Sequence, residues 1–439
     1  MHHSSVPPEI PGTQVPPSEV HGLREQVATL LMRDNTRFPG AQPVSFARHH
    51  IEELQRTEYF LCEKTDGIRC LLFLYFLEDA AGNFQPLTFL IDRKNNYYEV
   101  QPPFRFPHYR FPNDADKYLF STILDGELVH DRVPGQPKPR LIFYVFDALV
   151  IDGQRVTDRP LDKRLGYMRD QVFKPHAHWL ARNNGVPLGG TEPFRVKEKQ
   201  MFPPYSIRDM FEVILPKLPH GNDGLVFTCK TTPYRFGTDP HILKWKPPHE
   251  NTIDFKLRLG SFPLFDPEDG DEEGPIPDYD APPDRIQLLV LHEKGNYQHF
   301  ADMYFTTQDW DMLKSLGQRL DGRIIECFRD GQGRWTFKRE DDGTPRFRDD
   351  KRDANHISTV ESVLESLRDP VTEQDLLDAS PAIRVAVKRM QEVEKERQRQ
   401  WVREQIEMER EREAKKRKIS EVDGVGVGMG AGGGAGGGA

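Results

Sequence analysis

Four cysteines in 439 residues are too few for a disulfide framework. Cys62, Cys70, Cys229 and Cys327 form no CxxC pair. That removes the usual zinc-ligand spacing and points to a reducing compartment, not a secreted fold. No apolar run approaches the roughly 18 residues of a membrane span. The first residues also lack the apolar stretch of a secretion signal, so a soluble intracellular protein is expected. A basic excess is missing too. Lys and Arg number 60 against 69 Asp and Glu, a net charge of -9. This balance argues against gripping nucleic acid through overall charge, but leaves room for a local basic patch. Much of the negative charge sits in FDPEDGDEEGPIPDYD (265–280), which reads as a solvated spacer loop.

What is present is organised in blocks. The length allows two or three domains, and 37% hydrophobic residues allow a substantial core. Residues 1–20, rich in Pro and Ser, are expected to be flexible. Over 21–255, apolar runs alternate with turn signals: LLFLYFL (71–77), LTFLID (87–92), YLFSTIL (118–124), RLIFYVFDALVI (140–151) and DGLVFT (223–228). They read as strands of a largely antiparallel sheet system, with helices over 20–32, 161–176 and 207–215. A second β-rich block, 256–360, holds DFKLRLG, IQLLVLH, QHFADMYF, RIIECFR and RWTFKRE, the pattern of a small barrel. A helical segment spans 361–419. Ile383, Val387, Met390 and Val393 share one face there, expected to pack on the preceding domains. The end, 420–439, is Gly-rich, of low complexity and expected to be disordered.

The sharpest local pattern is EKTDGIR (63–69) ahead of the apolar run. A lysine before an Asp-Gly turn presents its amine at a strand end, over a cleft. To attack phosphorus the amine must be neutral. A free lysine has a pKa of about 10.4, and neighbouring cations or burial lower it. ILKWKPPHENTIDF (242–255) supplies cations: Lys244 and Lys246 alternate onto one face, Leu243 and Trp245 onto the other. An ordinary edge strand would read the same way. In ILDGELV (123–129), Asp125-Gly126 is a turn signal, either a plain hairpin or a device placing Glu127 near a ligand. Asp223 in NDGLVFT (222–228) is either a strand cap or a metal-side carboxylate. Phe146 in YVFDALVIDG (144–153) would ordinarily be core. PFRVKEKQMFP (193–203) and RFRDDKRDAN (346–355) would ordinarily be solvated charge.

In chain order, EKTDGIR, ILDGELV, YVFDALVIDG, NDGLVFT, ILKWKPPHENTIDF and RFRDDKRDAN resemble motifs I, III, IIIa, IV, V and VI of the covalent nucleotidyltransferase superfamily, and PFRVKEKQMFP resembles a stretch of its capping enzymes. That superfamily includes RNA capping enzymes and ATP- and NAD-dependent polynucleotide ligases. The resemblance covers residues 45–360. It implies an α+β fold: a nucleotidyltransferase domain built on an ATP-grasp-like antiparallel sheet (21–255), an OB-fold barrel domain (256–360) and a C-terminal helical tail. It implies that Lys64 carries the nucleotide covalently, assisted by Lys244, Lys246 and Asp223. Arg69 then meets the ribose hydroxyls, Glu127 the ribose or a metal, and Phe146 stacks on the base. Lys199, or else Lys197, touches the guanine O6. Arg348, Asp350 and Lys351 reach the β- and γ-phosphates as the small domain closes about a hinge near 254–260. Glu127 and Asp223 are the implied ligands of Mg²⁺ or Mn²⁺, which prefer oxygen donors.

Within the superfamily, RDDKRDAN resembles the RxDKxxPN of capping enzymes, with Ala354 in place of the usual proline. Asp223 opens motif IV where ligases more often carry glutamate, and LKWKPPHENTIDF is close to the capping form. The pattern is most like the fungal, monofunctional capping guanylyltransferases, because no cysteine here begins an HCxxGxxR triphosphatase loop. The implied partners are GTP, 5′-diphosphate RNA, a separate RNA 5′-triphosphatase and the phosphorylated C-terminal domain of RNA polymerase II, with no membrane. The implied location is the nucleus. AKKRK (414–418) reads as a nuclear signal or equally as a basic helix end. Two alternatives remain: an ATP-dependent polynucleotide ligase, and a non-catalytic scaffold that binds RNA or polymerase. A scaffold would not need Lys64, Arg69, Glu127, Asp223, Lys244 and Lys246 together.

Overall fold

The computed structural model describes residues 8–78, 82, 84–266, 275–340, 342–349 and 351–425. The strand Tyr59–Thr65 ends at Asp66 and Gly67, and the chain resumes as Ile68–Glu78. These two strands belong to different sheets. Tyr59–Thr65 is one edge of a four-stranded sheet, followed by Asn222–Cys229, Gly237–Trp245 and Ala41–Ser45. Ile68–Glu78 lies inside an eight-stranded sheet, between Phe84–Asp92 and Thr122–Asp131, with Arg140–Ile151 and Arg195–Glu198 beyond. Most pairs are antiparallel. Arg195–Glu198 runs parallel to Arg140–Ile151, and Ala41–Ser45 parallel to Gly237–Trp245. The crossing between sheets is tight: a methyl on Gly67 would lie 2.3 Å from the Leu128 carbonyl oxygen.

The unbroken apolar run LLFLYFL follows from burial on both faces. Leu72 and Leu74 join one apolar cluster, with Leu161, Leu165 and Met168. Leu71 and Phe73 join another, with Val20 and Val27 of the helix Val20–Leu30. The helix starting at Leu161 runs further than 176. A π-helical turn, Arg169–Phe173, carries it into Lys174–Arg182.

Three expectations are corrected. Asp125-Gly126 is no hairpin: both residues lie inside the strand Thr122–Asp131, at a register shift against Arg140–Ile151. Glycine is needed there for close approach, since a methyl would sit 2.6 Å from both the Phe143 ring and the Tyr144 carbonyl oxygen. Residues 8–20 are not uniformly loose, because Thr13–Gln14 pairs with Tyr97–Glu99. The segment 254–260 is no hinge either. It lies largely within Ile253–Leu259, a strand hydrogen-bonded on both sides. The chain passes from the first β-rich block to the second earlier, through the 3₁₀ turn Pro248–Glu250. Gly126→Ala is expected to lower stability by about 1–3 kcal/mol. Gly166→Ala, where a methyl meets open space in the helix Leu161–Met168, is expected to raise it by about 0.5–1 kcal/mol. Denaturant midpoints of the two variants check both signs.

The second β-rich block forms a five-stranded antiparallel sheet in the order Tyr297–Asp302, Ile286–Leu291, Ile253–Leu259, Ile324–Arg329, Trp335–Phe337. Its two outer strands meet: Met303 bridges to Trp335, and the Tyr304 amide donates to the Trp335 carbonyl at 2.7 Å. Phe255, Trp310 and Phe337 fill its interior. Within the acidic stretch, Leu264–Phe265 pairs with Ile276–Pro277. The chain divides into two units, Met1–Ile383 and Arg384–Ala439. The first carries the sheets and the start of the helix Glu373–Val425, where Leu376 and Ile383 are buried. The second continues that helix, with Val393, Trp401 and Ile406 exposed. The side chains of AKKRK and the Gly-rich end at 426–439 lie outside the described residues. No described helix is long and apolar enough to cross a membrane.

Candidate active site

A pocket opens between the two sheets, and Lys64 stands where they join. In a strand, successive side chains point to opposite faces. Glu63 and Thr65 therefore turn one way and Lys64 the other. Lys64 Nζ donates to Asp223 Oδ1 at 2.6 Å, and Lys246 Nζ lies 2.7 Å from Asp223 Oδ2. One carboxylate thus bridges two ammonium groups. Burial opposes the charge of Asp223, but Lys246 and Lys64 outweigh it and hold the carboxyl below its usual range. Lys246 is raised in turn, Asp223 outweighing burial. Lys244 has no such partner among the described residues. Burial, then the cations Lys246, Lys64 and Arg93, push it down to about 8. Leu243 and Trp245 are buried on the opposite face of the strand.

The eight-stranded sheet supplies the other wall. Arg69, Arg93, Asp125, Glu127, Phe146, Lys199 and Tyr234 line it. The Arg69 guanidinium forms a two-point ion pair with Asp125 at 3.0 and 2.6 Å and donates to the Ala41 carbonyl. Tyr234 donates to Asp125 Oδ2 at 2.6 Å. This pairing keeps a buried cation satisfied and fixes it 5.4 Å from the centre of the Phe146 ring. Phe146 is only half-buried, so its ring faces the pocket and not the core. Burial raises the Glu127 carboxyl above its usual range. It accepts no hydrogen bond from any described residue. Lys199 is buried, 3.3 Å from Glu63 and donating to Thr65. Burial opposes its charge, yet Glu63 outweighs it and raises the ammonium.

The structure therefore gathers Lys64, Arg69, Glu127, Phe146 and Lys199 at the pocket, with Asp223 and Lys246 joined to it through Lys64 and Lys244 close enough to feel the charge of both lysines. Lys197 is half-exposed, 3.5 Å from Asp131, and lines no part of the pocket. Arg348 and Lys351 are elsewhere. Arg348 Nη1 lies 3.4 Å from Asp254 and from Glu326, and Lys351 pairs with Asp254, all within the second β-rich block. Asp350 lies outside the described residues. Asp125, Arg93, Tyr234 and Glu63 were not singled out from sequence. Asp125 was hidden by its turn-like Asp-Gly signature, although its spacing of two from Glu127 on a strand carried the signal. Arg93 follows the apolar strand Phe84–Asp92 and looks like any charge at a strand end.

A lysine nucleophile candidate beside a cation cluster and an aromatic-walled pocket is the arrangement of a nucleotidyltransferase. The family model for the mRNA capping enzyme catalytic domain matches residues 7–248, and that for its C-terminal domain residues 250–377. An mRNA-capping enzyme subunit alpha of Neurospora crassa is 44% identical over 392 residues, covering 86% of this chain and 93% of the relative. Its namesake in Schizosaccharomyces pombe is 44% identical over 379 residues, covering 86% and 88%. That in Saccharomyces cerevisiae is 36% identical over 409 residues, covering 85% and 85%. The chain belongs to the mRNA capping enzyme family.

Proposed function

We propose that this guanylyltransferase moves GMP from GTP to the 5′-diphosphate end of RNA through a covalent bond to Lys64. The observation that carries this is the position of Lys64, between an aromatic-walled pocket and a cluster of ammonium groups. Phe146 offers a face for the base and Lys199 a donor for the guanine O6. Arg69 and Glu127 are set for the ribose. Lys244, Lys246 and Arg93 present positive charge to the phosphates. Lys64 Nζ forms a bond to the α-phosphorus as the bridging oxygen to the β-phosphorus departs with pyrophosphate. Two protons leave Nζ, one before attack to free the lone pair and one as the N–P bond forms, and Asp223, 2.6 Å away, relays them to solvent. A terminal oxygen of the RNA diphosphate then attacks the same phosphorus. The N–P bond breaks, Lys64 takes back both protons, and the GpppN cap is released.

Mg²⁺ or Mn²⁺ belongs to this reading as a cation that arrives with the triphosphate. Among the described residues no three metal-ligating side chains gather, so an all-protein cage is not formed. Glu127, which accepts no hydrogen bond among the described residues, and Asp223 fit as two oxygen donors, with phosphate and water supplying the rest. The bound ion would neutralise triphosphate charge. The second block is read as an OB-fold barrel, which the meeting of its outer strands supports. Arg348 and Lys351 would exchange Asp254 for the β- and γ-phosphates as that domain swings about 246–252. Asp350 is assigned alongside them by resemblance. The fungal relatives are named as alpha subunits, which suggests a companion subunit, here taken as a separate RNA 5′-triphosphatase. Docking on the phosphorylated C-terminal domain of RNA polymerase II, and a nuclear location, complete the reading.

Two tests follow. Isolated GMP–protein should discharge onto RNA ending in 5′-diphosphate and not onto 5′-monophosphate RNA. Labelling from ATP with transfer to 5′-monophosphate RNA would overturn the reading. The second uses Lys244. At pH 9 it is mostly neutral in the free protein, because its pKa is about 8. Triphosphate favours its protonated form. GTP binding should therefore take up a proton at pH 9 and almost none at pH 6.5, as calorimetry in buffers of different ionisation enthalpy reports. KM for GTP should rise above pH 8, and Lys244→Arg, always charged, should flatten that rise.

A further inference from the structure

Glu63 and Lys199 are 5% and 4% exposed. Charges so far from water persist only when paired. Glu63 Oε1 lies 3.3 Å from Lys199 Nζ and also 3.6 Å from Nε2 of buried His220. His220 Nδ1 lies 2.8 Å from Asp131 Oδ1. Asp131 accepts from the Tyr144 hydroxyl at 2.9 Å and lies 3.5 Å from Lys197 Nζ at the surface. Read outward from the pocket, the charges alternate: Lys199, Glu63, His220, Asp131, Lys197. Burial opposes the charge of His220, but Asp131 and Glu63 outweigh it and hold the imidazole above its ordinary range. Nδ1 makes the hydrogen bond to Asp131, whereas Nε2, 3.6 Å from Glu63, makes none among the described residues, so the Glu63 contact is one of charge.

The members come from separate elements. Glu63 sits on Tyr59–Thr65, Asp131 ends Thr122–Asp131, Tyr144 is on Arg140–Ile151, and Lys199 follows Arg195–Glu198. His220 precedes Asn222–Cys229. The chemistry at Lys64 uses none of them except Lys199.

We propose that Glu63 and His220 are positioning residues for base selection, holding Lys199 as a fixed cation on the pocket wall so that the site favours a purine with an oxygen acceptor at C6. The proposal rests on the reading that Lys199 meets the base. An ammonium group attracts a 6-oxo oxygen and faces a 6-amino group donor to donor, so fixing it favours guanine over adenine. Lysine has a long flexible stem, and Glu127 is a second carboxylate acting on Lys199. Without Glu63 held by His220, the ammonium is free to turn toward Glu127 and away from the base edge.

The test uses the full chain and compares adduct formation with GTP and with the triphosphate of 2-aminopurine riboside, which lacks the 6-oxo group. His220→Gln is expected to raise KM for GTP about tenfold, with little change in rate at saturation. KM for the analogue should stay unchanged, and in the Lys199→Met background His220→Gln should add nothing. An equal change for both nucleotides, or an additive effect in that background, overturns the proposal. If Lys199→Met itself leaves the preference for GTP over the analogue intact, the assignment of Lys199 to the base falls, and the proposal with it. Thermal unfolding checks that each variant folds. Glu63→Gln, nearly isosteric, is read by the same criteria if His220→Gln does not fold.

Discussion

Replacing Lys64 with alanine should abolish the GMP adduct, a loss on the order of 10⁴-fold or more, because no other group can form the same covalent bond in place. Lys64→Arg should fail as completely, since a guanidinium keeps its proton and is no nucleophile. Neither change should unfold the protein. Asp223 keeps Lys246 as its partner at 2.7 Å when Lys64 is gone. Single-turnover labelling beside thermal unfolding separates the two effects. A folded Lys64→Ala protein that still accumulates adduct would move the nucleophile elsewhere in the cluster.

Asp125→Ala should produce the largest loss of stability, about 3–5 kcal/mol, because it strands a buried guanidinium. Arg69 is 9% exposed and Asp125 fully buried, and they share a two-point ion pair. The same change leaves the Tyr234 hydroxyl without its 2.6 Å acceptor. A double variant, Arg69→Met with Asp125→Leu, should recover much of the loss, because it leaves no unpaired charge behind. Urea unfolding of Arg69→Met, Asp125→Leu and the double variant measures the coupling. If Asp125→Ala unfolds with the midpoint of the unaltered protein, the pair does not hold this wall of the pocket.

The nucleotide-side residues were legible because strand alternation determines where they point. Lys244 and Lys246 fell on one face and Leu243 and Trp245 on the other, as the sequence pattern requires. The Asp66-Gly67 turn did place Lys64 at a strand end. What the pattern does not carry is which sheet receives the chain after a turn, so the crossing from one sheet to the other at Gly67 was invisible. Asp125-Gly126 looked like a turn because local chemistry favours one. The neighbouring strand overrides it, since Gly126 is needed to admit Phe143 and Tyr144. The expected hinge near 254–260 met the same limit: Pro247 and Pro248 mark the passage to the second β-rich block, whereas Ile253–Leu259 is held on both edges. Buried partners such as Asp125, Tyr234 and His220 come together only through tertiary folding, from positions far apart in the chain.

Everything proposed for this site depends on the atom that carries the nucleotide. The direct measurement is to incubate the protein with GTP labelled at the α-phosphate, quench in alkali, digest, and locate the modified residue by mass spectrometry. GMP is expected on Lys64, one per chain, with an equal amount of pyrophosphate released. GMP on Lys244 or Lys246, or AMP from ATP in its place, would contradict it.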